Sequence, residues 1–406
     1  MKPELISPAG DWISLRAAIS SGADAVFFGI KEMNLRELAK NFQLAEIKKV
    51  VSLCKRNSVK AYLALNAIIF DEEIPKLRQI LKRAKSSGID AIIAWDFSVL
   101  KIADELNIPI HISTQASISN YEAIRFLKKS LKNIKCVVLA RELSLEQIKH
   151  ISQNIKKESL DVEIETFIHG AMCVSISGRC FMSHHIFKKS ANRGECLQPC
   201  RRKYTIHEKE DKYDLILGED YVMSPKDLCA LPFIDNLIDA GISKFKIEGR
   251  NRSPEYVMAV TECYREAINL AEKKRFTKSN SDRLTEKLRM VYNRDFSSGF
   301  YLGLPSGEDF ADSYGSKATT RKVYAGVVKN FFKKISVAEI ILESHGLKAG
   351  DKIQIQGLTT GIIEQEIFSM QANNSSVNHA EKGFIVGVKI SGIARKNDRV
   401  YLIGKV

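Results

Sequence analysis

Apolar residues in the first two thirds of the chain fall in short runs that alternate with longer amphipathic stretches. The runs have the length and β-branched content of buried strands, whereas the stretches between them have the period of helices. Eight strand–helix units favour a TIM-like parallel (β/α) barrel. The predicted strands are Glu4–Ser7, Ala25–Gly29, Lys60–Asn66, Ala91–Trp95, Ile110–Thr114, Cys136–Ala140, Glu163–His169 and Lys244–Glu248.

The segment after the first predicted strand argues against an open nucleotide-binding sheet. Such a sheet carries a glycine-rich phosphate loop there, and neither G-x-G-x-x-G nor G-x-x-x-x-G-K-[ST] occurs in the chain. Polar residues instead stand at the ends of the predicted strands, which in a barrel surround the mouth of the active site. They are Asn66, Asp96, Gln115, Glu142, His169, Glu248 and Arg250.

The pattern changes after about residue 275. Residues 276–320 are predicted to form a linker with one short helix, and residues 321–406 alternate β-branched and polar residues between Gly and Asn turns. This alternation predicts a small C-terminal antiparallel β-barrel after the (β/α) barrel of residues 1–275. Its predicted strands are Val323–Val328, Ser336–Leu342, Asp351–Gln356, Gly361–Phe368, Gly383–Lys389 and Arg399–Leu402.

Five of the eight cysteines crowd into one segment, which is the main chemical feature of the sequence. The other three, Cys54, Cys136 and Cys263, lie in apolar-periodic stretches and are predicted to be buried. In a cytosolic chain such crowding is more typical of metal binding than of structural disulfides. The clustered cysteines are Cys173, Cys180, Cys196, Cys200 and Cys229.

Three kinds of chemistry fit these cysteines. Structural zinc favours closely spaced cysteine pairs, which only Cys196 and Cys200 approach. An iron–sulfur cluster needs four thiolates and tolerates irregular spacing. Cys173 and His169 could form a nucleophile–base pair, although so many neighbouring cysteines suit a metal better than one nucleophile. The residues alone leave the three alternatives open.

The charge of the chain indicates a polyanionic partner. The formal net charge is +14, and lysines and arginines that neutralise phosphates release condensed counterions, so RNA is the expected partner. Apolar runs are too short for a transmembrane segment and no secretory leader opens the chain, so we expect a soluble cytoplasmic protein without a membrane partner.

Charged residues near the cysteines are candidates for binding and proton transfer. Arg193, Arg201 and Arg202 flank the cysteines and could bind phosphates or the carboxylate of a cosubstrate through paired N–H groups. Their alternative role is to balance the charge of an anionic thiolate cluster. His169 and Glu165 are the candidates for handling protons.

The segment Glu165–Cys180, with the sequence ETFIHGAMCVSISGRC, closely resembles the central motif of the collagenase-like peptidase family U32. Segments 4–10, 22–29, 192–201, 224–229 and 245–250 resemble the same family, and the whole chain looks most like its tRNA hydroxylation branch. The resemblance implies an oxygen-independent hydroxylase that carries a [4Fe–4S] cluster, uses prephenate as cosubstrate and forms 5-hydroxyuridine at the tRNA wobble position. A redox partner protein would fit this chemistry.

Other activities are also consistent with the resemblance. Some family members are described as proteases of unknown catalytic type, so a collagenase-like peptidase is one alternative. A cluster-carrying RNA-binding protein without turnover of its own is another. By position in the motifs, the resemblance implies Cys173, Cys180 and Cys196 as cluster ligands, with Cys229 as the fourth and Cys200 as its alternate.

Overall fold

The computed structural model describes residues 2–208, 215–218, 223–373 and 375–406. Eleven strands precede residue 250. They are β1 (Glu4–Ala9), β2 (Ala25–Phe28), β3 (Lys60–Ala64), β4 (Ala91–Ala94), β5 (Ile110–Ile112), β6 (Ile134–Val138), β7 (Glu163–Ala171), β8 (Ile206–Glu208), β9 (Leu215–Gly218), β10 (Asp227–Cys229) and β11 (Lys244–Ile247).

Eight of these strands close into a parallel barrel, which confirms the predicted TIM-like fold. Each of β1 to β7 pairs with the next, and β11 pairs with both β7 and β1. All eight lie at the strands predicted from the apolar runs. Because helices cover the outer face, the strands are buried on both sides and most of them are rich in apolar residues, whereas β7 and β11 also carry buried charged residues.

Ten helices surround or follow the barrel in the described residues. Local capping fixes several starts: Asp11 accepts a hydrogen bond from the Ser14 amide at 2.8 Å, and Asn120 accepts one from the Ala123 amide at 2.9 Å. The helices are α1 (Trp12–Ser20), α2 (Ile47–Arg56), α3 (Ile74–Ser87), α4 (Phe97–Glu105), α5 (Tyr121–Ser130), α6 (Leu145–Lys157), α7 (Met182–Phe187), α8 (Ile234–Asp239), α9 (Pro254–Glu272) and α10 (Lys278–Arg289).

The segment after β7 interrupts the regular alternation of strand and helix. It carries α7 and four of the clustered cysteines before the chain returns in β10. β10 runs antiparallel to the end of β7 and places Cys229 opposite His169 in the strand register. The cysteine segment is therefore anchored at the carboxyl end of a barrel strand, where TIM-like enzymes carry their active sites.

The C-terminal part forms antiparallel sheets, in agreement with the prediction of an antiparallel β fold. The main sheet has the order β17-β16-β22-β13-β14-β21-β18-β19, and its buried residues form a cluster separate from the barrel core. The later strands are β12 (Phe296–Ser297), β13 (Thr320–Phe332), β14 (Val337–Leu342), β15 (Leu347–Lys348), β16 (Lys352–Gly357), β17 (Gly361–Glu366), β18 (Met370–Ala372), β19 (Ser375–Val377), β20 (His379–Ala380), β21 (Ile385–Lys389) and β22 (Arg399–Lys405).

The two parts are joined by specific contacts. Glu255, near the start of α9, accepts hydrogen bonds from Lys322 at 3.0 Å and from Gln356 at 3.1 Å. Arg16 of α1 donates to the Leu358 carbonyl at 2.8 Å. Across the described ranges, no helix has the length and apolar character required to span a bilayer. The predicted boundaries at 275 and 321 remain predictions.

Candidate functional site

A cavity at the carboxyl end of the barrel contains three of the clustered cysteines. Cys173, Cys196 and Cys200 line it from the segment after β7. Cys180 lies near enough to Cys200 to contribute, with Cys173 and Cys196, to a raised Cys200 pKa. The structure therefore brings together four of the five cysteines. From the barrel, the cavity is lined by Arg36, Gln115, Arg141, Phe167 and Glu248.

The cysteine segment approaches the barrel closely through a glycine. Gly194 has φ +91°, and a Cβ atom built there would lie 2.2 Å from the Asn34 carbonyl oxygen. Any larger residue would push the segment away from the loop after β2. Gly194 therefore helps to hold Cys196 over the barrel mouth.

Three of the four sulfur atoms have a hydrogen-bonding partner. Such donors stabilise the thiolate, which is the form that binds metals. None of the four cysteines is in a disulfide, and all are partly exposed. The contacts are Cys173 Sγ to Ser175 Oγ at 3.1 Å, the Met182 amide to Cys180 Sγ at 3.3 Å, and the Gln198 amide to Cys196 Sγ at 3.4 Å.

The thiols of this group differ in acidity. Burial opposes ionisation of Cys173, but hydrogen bonds from Ser175 and the Gly178 backbone, together with the Arg201 charge, lower its pKa below the usual value. Burial raises the pKa of Cys200, and the neighbouring cysteines raise it further against the effect of Arg201. Four thiolates this close repel one another, so a cationic centre would favour ionisation of all four.

The spacing of the four sulfur atoms can be compared with that of a tetrahedral zinc site. A tetrahedral zinc site with Zn–S bonds of about 2.3 Å holds its sulfurs roughly 3.8 Å apart. Among the described residues, no three of these four cysteines have ligand atoms within 4.8 Å of one another. A single zinc ion would therefore require the sulfur atoms to move closer together.

Cys229 lies in a different environment. It is 3% exposed in β10, its Sγ accepts a hydrogen bond from the Tyr264 hydroxyl at 3.7 Å, and burial raises the pKa of its thiol to about 11. Among the described residues, it does not line the cavity that holds Cys173, Cys196 and Cys200. The structure thus separates Cys229 from the other four cysteines.

His169 shares the pocket of Cys229. Its Nδ1 lies 3.3 Å from the Tyr264 hydroxyl, and the rings of Tyr256, Tyr264 and Phe296 surround it. Burial lowers the pKa of its imidazole to about 4, so the ring is neutral at physiological pH. His169 does not line the cysteine cavity among the described residues.

Glu165 lies inside the barrel, fully buried, in a group of paired polar side chains. Lys246 donates to its Oε1 at 2.5 Å, and His111 and Cys136 contact its Oε2 at 3.2 and 3.7 Å. Burial opposes its ionisation, but Lys246 and His111 outweigh that effect and lower its pKa to about 2. The ligand atoms of His111, Cys136 and Glu165 lie within 4.8 Å of one another and could hold a metal ion. The Lys246 ammonium already compensates the charge of the carboxylate.

Arginines near the cavity were not all predicted. Arg36 forms an ion pair with Glu248 at 3.2 Å. Electrostatic attraction to Glu248 and, to a smaller extent, to Cys173 raises the Arg36 pKa. Glu248 and Arg250 were expected from the strand ends, whereas Arg36 lies in an irregular loop after β2 and no sequence pattern indicated it. Arg141 is adjacent to the predicted Glu142, which is exposed.

Two guanidinium nitrogens at the mouth are buried without a hydrogen-bond acceptor in the described structure, Arg141 Nε and Arg250 Nη1. Arg141 donates to the Ala171 carbonyl at 2.8 Å and stacks 4.0 Å above the Phe167 ring. Burial and the Arg36 charge lower the pKa of Arg250 to about 9. Gly29 leaves room for Arg250, because a Cβ there would lie 2.1 Å from its Nη1. Unpaired buried donors of this kind favour an anionic ligand.

The other predicted arginines have protein partners. Arg201 lines the cavity and donates to the Ser224 hydroxyl at 3.2 Å and the Pro225 carbonyl at 3.1 Å. Arg193 forms a two-point ion pair with Glu73 and stacks 4.8 Å from the Phe70 ring. Arg202 stacks 4.9 Å from the Phe187 ring. Arg193 and Arg202 therefore hold the cysteine segment, and Arg201 alone of the three reaches the cavity.

Several known proteins are similar to this chain over most of its length. An uncharacterized protease of Methanocaldococcus jannaschii is 43% identical over 98% of both chains. A collagenase of Porphyromonas gingivalis is 40% identical over 99% of this chain and 98% of its own. tRNA hydroxylation protein P1 of Bacillus subtilis is 35% identical over 88% of this chain and 84% of its own. The family model for peptidase family U32 matches residues 10–310, and the chain therefore belongs to that family.

Proposed function

We propose that the chain is an iron–sulfur-dependent, oxygen-independent RNA hydroxylase that forms 5-hydroxyuridine at the tRNA wobble position in the cytoplasm. The observation that carries the proposal is the mouth cavity, where four cysteines meet next to guanidinium groups with unpaired nitrogens. Such a site suits a redox centre and an anionic cosubstrate together. The similarity to a relative named as a tRNA hydroxylation protein supports RNA as the substrate.

Cys173, Cys180, Cys196 and Cys200 would hold the [4Fe–4S] cluster in this proposal. Cys200 replaces Cys229 as the fourth ligand, because Cys200 lines the same cavity as Cys173 and Cys196. Cys229 would have to leave a buried contact with Tyr264 and ionise from a raised pKa. A bound cluster of this type supplies one-electron transfer, which a redox partner protein would complete.

The cavity arginines would bind the cosubstrate. Prephenate carries carboxylates, and the Arg141 guanidinium, which lines the cavity and has an unpaired Nε, would donate to one of them. Arg201 and Arg36 also line the cavity and add positive charge. Phe167, under the Arg141 guanidinium, adds apolar surface to the cavity wall.

Glu165 and His169 have structural roles in this proposal. The Glu165 carboxylate is saturated by Lys246 and His111 inside the barrel, and His169 is neutral in an aromatic pocket. Both lie on β7, directly before the cysteine segment. They would therefore position that segment rather than transfer protons.

Peptidase activity is the second candidate function, and the names of two relatives favour it. Cys173 is the acidic thiol of the cavity, but its side-chain contact in the described structure is Ser175 rather than a histidine base. A nucleophile without a positioned base is weakly activated. A cluster-carrying protein that needs a second subunit for turnover is the third candidate.

The test is to express the chain in a bacterial host that lacks its own tRNA hydroxylation proteins and to quantify 5-hydroxyuridine in digested tRNA by mass spectrometry. The proposal predicts that the wild-type chain restores the nucleoside and that Cys173→Ser does not. Cys54→Ser, which changes a buried cysteine of α2, is the control. Cluster-loaded protein that leaves tRNA unmodified but cleaves peptides would contradict the proposal.

A further inference from the structure

A wide cleft separates the barrel mouth from the C-terminal sheet. One wall comes from the ends of β1 and β11, and the other from the turns before β17 and β22. The second wall includes the exposed turn 395–399, which carries three cations. The cationic residues that line the cleft are Lys40, Arg250, Arg252, Lys322, Arg395, Lys396 and Arg399.

Both acidic side chains that line the cleft have partners within the fold. Asp398 is buried and accepts hydrogen bonds from Thr360 and the Arg395 amide, so it holds the turn. Asp11 caps α1 and pairs with Lys40 at 2.7 Å. Both carboxylates are therefore occupied by partners within the protein.

Several cations of the cleft have no acidic partner. Within the described ranges, no carboxylate lies within 4.0 Å of Arg252, Arg395, Lys396 or Arg399. Arg252 is instead held 3.6 Å above the Tyr292 ring. Arg395 and Arg16 lie close enough that their mutual repulsion contributes to a lowered Arg16 pKa. Clustered unpaired cations of this kind produce a positive potential that attracts a polyanion.

The cleft adjoins the cysteine cavity. Asn251 lines both, and Arg250 lines the cleft and the barrel mouth. Tyr401 adds an aromatic ring to the cleft, 4.7 Å from the Lys322 ammonium. A strand bound through its phosphates in the cleft would therefore have bases beside the entrance of the cavity.

We propose that this cleft binds the phosphate backbone of the RNA substrate, with Arg252, Arg395, Lys396 and Arg399 as its phosphate contacts. The inference rests on the proposed function and extends it by assigning the surface that receives the RNA. In this arrangement three of the four phosphate contacts come from the C-terminal part of the chain. The hydrogen bonds from Lys322 and Gln356 to Glu255 fix that part relative to the barrel.

The experiment measures binding of an anticodon stem-loop RNA by fluorescence anisotropy at several salt concentrations. The triple variant Arg395→Gln/Lys396→Gln/Arg399→Gln is compared with wild type and with the control Lys149→Gln/Lys156→Gln/Lys157→Gln. The control removes the same charge from exposed lysines of α6. Arg252→Gln is a second, single-site test on the barrel wall.

The cleft variant is expected to weaken binding at least tenfold and to reduce the slope of log affinity against log salt by about 2. The α6 control is expected to stay within about twofold of wild type, because long-range charge alone is screened. Equal losses in both triple variants, or no loss in the cleft variant, would overturn the inference. Thermal unfolding checks that the variants are folded.

This result is independent of turnover. If the cleft variant loses RNA binding but the wild-type chain does not modify tRNA, the RNA-binding inference is supported and the hydroxylase proposal is contradicted. If wild type modifies tRNA and the cleft variant binds normally, the hydroxylase proposal stands and the cleft inference falls.

Discussion

The barrel interior and the barrel mouth contain similar charged groups and thiols. The interior groups have hydrogen-bond and ion-pair partners in the protein, whereas some of the groups at the mouth do not. In the interior, Glu165 contacts a lysine, a histidine and a thiol, and the lysine ammonium compensates its negative charge. At the mouth, thiols are partly exposed, and Arg141 and Arg250 each keep a buried nitrogen without an acceptor in the described structure. Charges that are paired within the protein serve the fold, whereas buried donors without an acceptor favour a bound ligand.

The comparison also explains why adjacent positions of one strand differ in role. Glu165 and His169 belong to the same motif as Cys173, yet only Cys173 follows the end of β7 into the cavity. A sequence motif groups residues along the chain, but the register of β7 against β11 shifts between Phe167 and His169, and the strand ends at Ala171 before Cys173, so the three residues reach different places.

The largest effect is expected when the interior pair is broken. Glu165→Gln should lower the free energy of unfolding of the barrel by about 3–5 kcal/mol, because it leaves the buried Lys246 ammonium unpaired. Urea unfolding followed by circular dichroism measures this loss. The control is Glu163→Gln, whose ion pair with Lys244 is half exposed and should cost less than about 1 kcal/mol. Equal losses in the two variants would contradict the interior role.

A smaller effect is expected from His169. Its pKa is about 4 in the folded protein against 6.5 when unperturbed, so the unfolded state binds the proton first as pH falls. Stability should therefore decrease between pH 6.5 and 4, by about 3 kcal/mol in total.

His169→Phe should remove that part of the pH dependence in urea unfolding curves measured from pH 7 to pH 4. His150→Gln, an exposed change in α6, is the matched control and should leave the curve unchanged. A His169→Phe curve parallel to wild type would show that the imidazole is not held neutral by burial.

The smallest effect concerns the anion site at the mouth. Arg141→Met should weaken prephenate binding by about 1.5–3 kcal/mol, because a charged hydrogen bond is lost while the apolar stem is kept. Isothermal titration calorimetry measures it on protein with unchanged iron content. Arg202→Met, which removes a guanidinium stacked on Phe187 outside the cavity, is the control. Unchanged affinity in Arg141→Met would exclude this arginine from the site.

Much of the fold could be predicted from the sequence, because barrel strands buried on both faces leave continuous apolar runs. All eight predicted barrel strands and the six predicted C-terminal strands correspond to strands of the structure. The other strands of the described residues, all of two to four residues, were not predicted, since such short segments form no pattern; they are β8, β9, β10, β12, β15, β18, β19 and β20.

The candidate site was predictable in composition but not in arrangement. The crowding of cysteines indicated a metal centre, and the strand ends indicated Gln115, Glu248 and Arg250. Arg36 and Arg141 come to the site through tertiary contacts that sequence spacing does not encode. The separation of Cys229 from the other four cysteines follows from its place in β10, which sequence spacing does not encode.

The central claim is that the half-exposed cysteines at the mouth, and not the buried one in β10, hold a [4Fe–4S] cluster. The most direct test is iron and acid-labile sulfide per chain in anaerobically purified wild type, Cys200→Ser and Cys229→Ser. We expect about four of each in wild type and Cys229→Ser, and a strong loss in Cys200→Ser. Retention in Cys200→Ser with loss in Cys229→Ser, or no iron in wild type, would contradict the account.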